Sequence, residues 1–141
     1  MGRRKTLGLV PRPVLKWAGG KTQLLPELVP RVEKAAPFGR YHEPFFGSGA
    51  LFFELYRTGR LSETPAALSD VNDRLMDVYR GLRDDVESVI ALLEEHRARH
   101  KREHYYQVRA EQPEALAARA ARLIYLNRTC FNGLFRENSR G

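Results

Sequence analysis

Apolar positions along the chain fall into two kinds of pattern. Leu24, Leu25, Leu28, Val29 and Val32 recur at three- and four-residue spacing and predict a first helix. Pro26 suits the start of that helix, and Pro30 interrupts it. Tyr41 to Phe45 reads as a short strand running into the turn Gly47-Ser48-Gly49. Leu51, Phe52 and Leu55 then return to helical spacing until Gly59. Ala66-Ala67-Leu68 is a second short strand, ending at Ser69-Asp70. Beyond it the pattern is helical only. Leu75, Met76, Tyr79 and Leu82 follow a cap at Asn72 or Asp73, and Val86, Val89, Ile90 and Leu93 follow a cap at Asp84. Leu116, Ala120, Leu123 and Leu126 form a last helix with Pro113 in its first turn. The first half therefore reads as α/β and the second as all-helical, with a change of domain near residues 75–83.

Composition narrows the class. With 141 residues, 43% hydrophobic and 29% charged, the chain fits one folded domain and not a disordered one. No apolar run approaches the roughly 18 residues of a membrane helix. The basic start MGRRKTLGLVPRP has no apolar core ahead of a cleavage site, so no secretory signal is expected. One cysteine, Cys130, gives no disulfide framework and no multi-cysteine zinc site, which points to a reducing cytoplasm. The net charge of +7 is uneven: +7 over residues 1–40, −4 over 41–100 and +4 over 101–141. Two basic ends around an acidic middle suggest surfaces that face a polyanion.

The chemistry concentrates in the glycine turn. Between a strand and a helix, Gly47 and Gly49 allow a tight turn and close backbone approach to a ligand. Asp70 follows Gly49 by 21 residues, at the next strand end, where an acid can accept from both hydroxyls of an adenosine ribose. An ordinary turn followed by a helix-start acid is the plainer alternative. The dinucleotide fingerprint lacks its third glycine, which is Phe52 here, so a nicotinamide enzyme is disfavoured. Gly20-Lys21-Thr22 resembles a P-loop ending, but Leu15 stands where that loop needs glycine. His96, His100 and His104 recur every four residues and could share a metal-binding helix face. Arg97, Arg99, Lys101 and Arg102 around them favour a solvated or phosphate-facing basic helix instead. Tyr105-Tyr106 reads as a helix-packing pair.

Three stretches in order are more specific than any one: Lys16-Trp17-Ala18-Gly19-Gly20-Lys21, Glu43-Pro44-Phe45-Phe46-Gly47-Ser48-Gly49 and Ser69-Asp70-Val71-Asn72. Together they resemble the Dam-type site-specific DNA adenine methyltransferases. A fourth, from Tyr125 through Asn127-Arg128 to Asn138, resembles that family's entry into its DNA-reading hairpin. The resemblance covers about residues 13–141. It implies a Rossmann-like S-adenosylmethionine-dependent methyltransferase fold, α/β with an incomplete sheet, joined to an all-helical target-recognition region. The division expected is 1–77 for the cofactor-binding part and 78–141 for the recognition part, cut within the hairpin.

The resemblance also implies roles. Trp17, the only tryptophan, and Lys21 line the S-adenosyl-L-methionine pocket, and Asp70 binds the ribose. Glu43, Pro44 and Phe45 shape the wall beside the methionine part, while Gly47 and Gly49 give the backbone room. Trp17 as a core aromatic and Lys21 as a solvated helix-start lysine are the plainer alternatives. Phe131, Asn132, Leu134 and Arg136 form the DNA-facing tip, in a stretch where Arg128, Arg136 and Arg140 alternate with Asn127, Asn132 and Asn138. Arg can fork onto guanine or clamp phosphate, and Asn can pair with adenine. The partner implied is double-stranded DNA, with no metal and no membrane.

Methyl transfer to the adenine amino group needs the family's Asp/Asn-Pro-Pro-aromatic motif, which holds the flipped base. None of the eight prolines here adjoins another, so no catalytic residue is expected in this chain. Two strands are also too few for a covered parallel sheet. The expectation is an N-terminal portion, inactive alone: a truncated product, a fragment, or one half of a split enzyme with a C-terminal complementing chain. The rival from another class is a non-enzymatic DNA- or partner-binding module.

Overall fold

The computed structural model describes residues 10–130. The elements are α1 (Leu25–Ala35), β1 (Tyr41–Glu43), α2 (Ala50–Arg57), β2 (Ala66–Leu68), α3 (Asp73–Asp84), α4 (Val86–Ala98), α5 (Arg102–Ala110) and α6 (Leu116–Thr129), with a 3-10 turn over Lys21–Leu24 ahead of α1. β1 and β2 pair in parallel, Tyr41 opposite Ala66 and Glu43 opposite Leu68, so β1–α2–β2 is one crossover unit. The mixed helix and parallel-strand architecture agrees with the α/β reading.

β1 is shorter than the sequence pattern suggests. The Ser69 N–H donates to the Glu43 carbonyl at 3.0 Å, and the next residue, Pro44, has no N–H with which to extend the ladder. Pro26 lies in the first turn of α1, where a missing N–H costs nothing, and Pro30 is accommodated within the helix. Asn72 caps α3, its side chain accepting from the Leu75 N–H at 3.1 Å. The cap of α4 is Asp85 instead of Asp84, because Asp84 is still the last residue of α3. Pro113 precedes α6 within an extended link, and Ala115 before the helix is still extended at φ −67° and ψ 136°.

Three apolar clusters hold these elements. One, under the sheet and α2, joins Tyr41, Leu51, Leu55 and Leu61 to the inner face of α1. The largest joins Leu75 and Val78 of α3, Val89 of α4 and the apolar face of α6, and it takes in Leu15 from before the first helix. The third sets Val108 of α5 against Tyr125 and Leu126. Gly81 lets α3 approach α6 closely: a Cβ there would lie 2.8 Å from the Ala120 Cβ. The expected boundary at 77/78 falls inside α3.

The three histidines do not share one helix. The chain leaves helical geometry after Ala98 and restarts at Arg102, so His96 lies on α4, His100 in the link and His104 on α5. The bend folds them around Tyr125. His100 Nδ1 is 2.8 Å from the Tyr125 hydroxyl, and His96 Nδ1 is 3.1 Å from His104 Nε2. His104 is buried and His96 partly buried, so these two rings pack inward, whereas His100 and the basic residues Arg97, Arg99, Lys101 and Arg102 are exposed, as a solvated basic face would be. Among the described residues no group of three or more His, Cys, Asp or Glu is arranged to hold a metal ion. Tyr105 and Tyr106 meet edge to face at 5.4 Å, with Tyr105 against the third cluster and Tyr106 exposed.

Candidate functional site

The site builds outward from the carboxyl ends of the two parallel strands, where open α/β sheets bind ligands. β1 ends at Glu43, which is buried. Its carboxylate accepts from the Tyr41 hydroxyl at 2.6 Å on one oxygen and from Lys21 Nζ at 3.2 Å on the other. Lys21 also donates to the Phe45 carbonyl. A buried carboxylate needs such partners to remain in place. Burial and the adjoining Glu43 carboxylate push the Tyr41 phenol far above its ordinary range, so it stays a donor.

The turn after β1 is fixed by its neighbours. The Phe46 N–H donates to the Ser69 carbonyl at 2.9 Å, and the Gly49 N–H to the Phe46 carbonyl at 2.9 Å. Gly49 has φ +77°, and a Cβ there would lie 2.5 Å from Phe46 Cζ, so this position requires glycine. Phe46 is buried edge-to-face against Tyr79 of α3 at 4.8 Å. The Tyr79 hydroxyl donates to the Ser48 carbonyl at 2.8 Å. Burial, chiefly, holds that phenol protonated.

Asp70 follows β2. One oxygen accepts from the Gly47 N–H at 2.9 Å and the other from the Asn72 N–H at 3.0 Å. A carboxylate has about four lone-pair sites, so two acceptor positions remain beyond these backbone bonds. Asp70 thus joins the two strand ends and still has the capacity to bind a diol. Two large apolar side chains of the strand ends stand in solvent: Phe45 is 77% exposed and Val71, next to Asp70 in the chain, 96% exposed.

Trp17 reaches the site from the other side. It is partly buried, and a Cβ on Gly47 would lie 3.8 Å from Trp17 Cδ1. The Gly20 N–H closes the turn onto the Trp17 carbonyl at 3.2 Å, and a Cβ on Gly20 would lie 3.6 Å from Ser48 Oγ. An open groove of about 680 Å³ runs past Trp17, Gly19, Gly20 and Ser48, bordered by Arg12, Lys16 and Arg128. Neither Asp70 nor Glu43 lines it.

Lys21, Glu43, Phe45, Gly47, Gly49, Asp70 and Trp17 are therefore brought into one neighbourhood. Pro44 is exposed at its rim and touches no other predicted site residue through a hydrogen bond. Arg128 is exposed, and one of its donors reaches the Val14 carbonyl at 2.7 Å. Asn127 does not face outward as Arg128 does: it is 1% exposed and bonded to Lys16. Phe131, Asn132, Leu134, Arg136, Asn138 and Arg140 lie outside the described residues. Tyr79 and Val71 were missed by sequence reasoning. Tyr79 read only as an apolar helix position, and Val71 could have been found as an apolar residue between two site polar residues, Asp70 and Asn72.

Comparison with known proteins meets this geometry. The family model described as D12 class N6 adenine-specific DNA methyltransferase matches residues 17–141. The type II methyltransferase M1.LlaDCHI of Lactococcus lactis subsp. cremoris is 37% identical over 135 residues, covering 92% of this chain and 45% of that protein. The type II methyltransferase M.MjaIII of Methanocaldococcus jannaschii is 35% identical over 145 residues, covering 92% and 50%. A DNA adenine methylase of Vibrio cholerae is 30% identical over 143 residues, covering 92% and 45%. The chain spans about half the length of these curated relatives.

Proposed function

Since the chain belongs to the D12 class N6 adenine-specific DNA methyltransferases, we propose that it forms the methyl-donor site of a site-specific DNA adenine methyltransferase. The reaction is transfer of a methyl group from S-adenosyl-L-methionine to the exocyclic amino group of adenine in double-stranded DNA. The sheet is the start of a Rossmann-like fold, and the helices after it belong to a target-recognition region. No membrane-crossing helix occurs among the described residues, and a cytoplasmic location suits a DNA substrate.

The observation that carries this reading is the pair of backbone bonds on Asp70. They hold the carboxylate at the strand end with acceptor capacity to spare for the two ribose hydroxyls. Val71, next to Asp70 in the chain, offers exposed apolar surface for the adenine ring beside that ribose. By the family resemblance Trp17 and Lys21 complete the donor pocket, and Glu43, Pro44 and Phe45 shape its methionine side. The bound donor supplies an electrophilic methyl group. The chain's own residues hold the ribose, wall the ring and exclude water.

Transfer itself requires a polar residue and a Pro-Pro-aromatic segment on the adenine, and no two prolines adjoin here. The 141 residues alone therefore bind the donor without methylating, and a complementing C-terminal chain restores activity. In that assembly Arg136 reads a base and Arg128 holds phosphate or packs the hairpin, with Phe131, Asn132, Leu134, Asn138 and Arg140 on the same DNA-facing stretch.

Calorimetric titration of the chain with S-adenosylhomocysteine tests the donor site. Charge-assisted bonds of about 1.5–3 kcal/mol predict that Asp70→Ala weakens binding roughly 10- to 150-fold. Asp70→Asn, which loses the charge and turns one acceptor into a donor facing a backbone N–H, should weaken binding as well. Equal affinity in parent and both variants would remove Asp70 from the donor site.

A further inference from the structure

We infer that Asn127 is a positioning residue for the methyl-donor site, holding the Lys16 peptide by both polar atoms of its amide and so setting Trp17 against the glycine turn. The inference rests on the reading of that turn as the donor site.

Asn127 sits in the last turn of α6, 111 residues from its partner. Its Oδ1 accepts from the Lys16 N–H at 3.0 Å, and its Nδ2 donates to the Lys16 carbonyl at 2.7 Å. The side chain thus presents one donor and one acceptor to a single residue, as a neighbouring strand would. Flipping the amide would set donor against donor and acceptor against acceptor, so the pairing fixes the orientation. Asparagine is a poor choice inside a helix, where Leu or Ala would serve an apolar face better. Its burial at 1% exposure is therefore explained by the bonds and not by the helix.

The clamp has support on both sides. Leu15 is inserted into the large apolar cluster against α6, and Arg128 takes the Val14 carbonyl. Residues 14–16 are consequently pinned to the end of α6, and Trp17 is the next residue out. A short rigid lead from Asn127 to Trp17 is what keeps the indole near Gly47, because no side-chain hydrogen bond of Trp17 is present to do so among the described contacts.

Trp17 is the only tryptophan, so its fluorescence reports this segment directly. S-adenosylhomocysteine is titrated into the parent chain, Asn127→Ala, Asn127→Asp and Val89→Ala, and acrylamide quenching of Trp17 is measured in each. Asn127→Asp keeps the volume and one acceptor but loses the donor, so it tests the bond without a cavity. Val89→Ala removes only two methyl groups from the cluster that also holds Leu15, at the Ala120 turn of α6, about two turns from Asn127, so it lowers stability without touching the clamp's bonds. The expected result is that both Asn127 variants bind about tenfold more weakly, from the loss of one or two buried hydrogen bonds, with Trp17 more open to quencher. Val89→Ala should bind and quench like the parent despite its lower melting temperature. Unchanged affinity in the Asn127 variants, or an equal loss in Val89→Ala, would overturn the positioning role while leaving the donor site standing. A parent chain that does not bind S-adenosylhomocysteine would overturn the donor site and this inference with it.

Discussion

The stretch before α3 and the stretch from α3 onward bury their side chains in different ways. From Asp73 to Thr129, four helices close on one another, and Leu75, Val78, Val89, Val108, Ala120, Ala121 and Leu126 are fully buried. Before Asp73, two strands of three residues make a sheet whose second strand leaves Ala66 and Ala67 in solvent. Of its best-buried apolar residues, Phe46 lies against α2 and Tyr79 of α3, and Leu55 of α2 lies in the small cluster under the sheet with the inner face of α1. The helical part can supply its own core. The sheet part holds its turn with backbone bonds, one partly buried ion pair and supports borrowed from the helices: Tyr79 on the Ser48 carbonyl and Asn127 on Lys16.

The largest expected effect tests this dependence. Leu75→Ala removes a fully buried side chain from the cluster that holds α3, α4, α6 and Leu15 together, at a cost of about 2–5 kcal/mol. Leu55→Ala removes an equally buried side chain from the cluster under the sheet. Hydrogen exchange should show Leu75→Ala loosening both parts at once, because the 14–17 segment loses its anchor. Leu55→Ala should loosen β1, α2 and β2 while α3–α6 stay protected. The reverse pattern would mean that the sheet supports the helices.

A smaller effect should be confined to the turn. Gly49→Ala introduces a Cβ at φ +77° and into the Phe46 ring. Left-handed strain and overpacking together cost about 1–3 kcal/mol. Far-ultraviolet dichroism of the helices should be nearly unchanged, while S-adenosylhomocysteine binding is lost in titration. Retained binding would show that the turn can relax, and that the Asp70–Gly47 bond does not depend on its shape.

The elements written in local chemistry were legible before the structure. Pro26 at a helix start, Asn72 as a cap, Gly47 and Gly49 in a turn and Ala66–Leu68 as a strand each follow from one residue's backbone preference. That Lys21, Glu43, Gly47 and Asp70 gather at the turn follows from the same local chemistry, while the donor-site roles the family resemblance assigns them await the titration. What was not legible depends on partners distant in sequence. Asn127 reads as one more polar residue among arginines until Lys16 is brought beside it. The histidine spacing reads as one helix face, because nothing local in Arg99-His100-Lys101 announces the break. Burial of His104 and the Tyr125 ring decide that region instead.

The smallest effect concerns that histidine group and separates the two parts by acidity. Burial chiefly, with His104 and Arg99 adding to it, lowers the pKa of His96 below its ordinary 6.5, while Glu111 and Glu95 pull the other way. A lowered value means that the folded chain keeps His96 neutral where the unfolded chain would protonate it. The associated stability is complete above about pH 6.5 and is lost as the pH falls below it toward the folded value. His96 is partly exposed, so solvent screens the effect, and only a small fall in melting temperature is expected from it between pH 7.5 and 5.5. His96→Gln keeps a polar partner for His104 Nε2 and removes the titration. Its melting temperature should fall less than the parent's over that interval, and the difference should appear in the exchange of α4, α5 and α6 before that of β1 and β2. Parallel curves for parent and variant would place the acid sensitivity elsewhere and leave the histidines as packing groups around Tyr125.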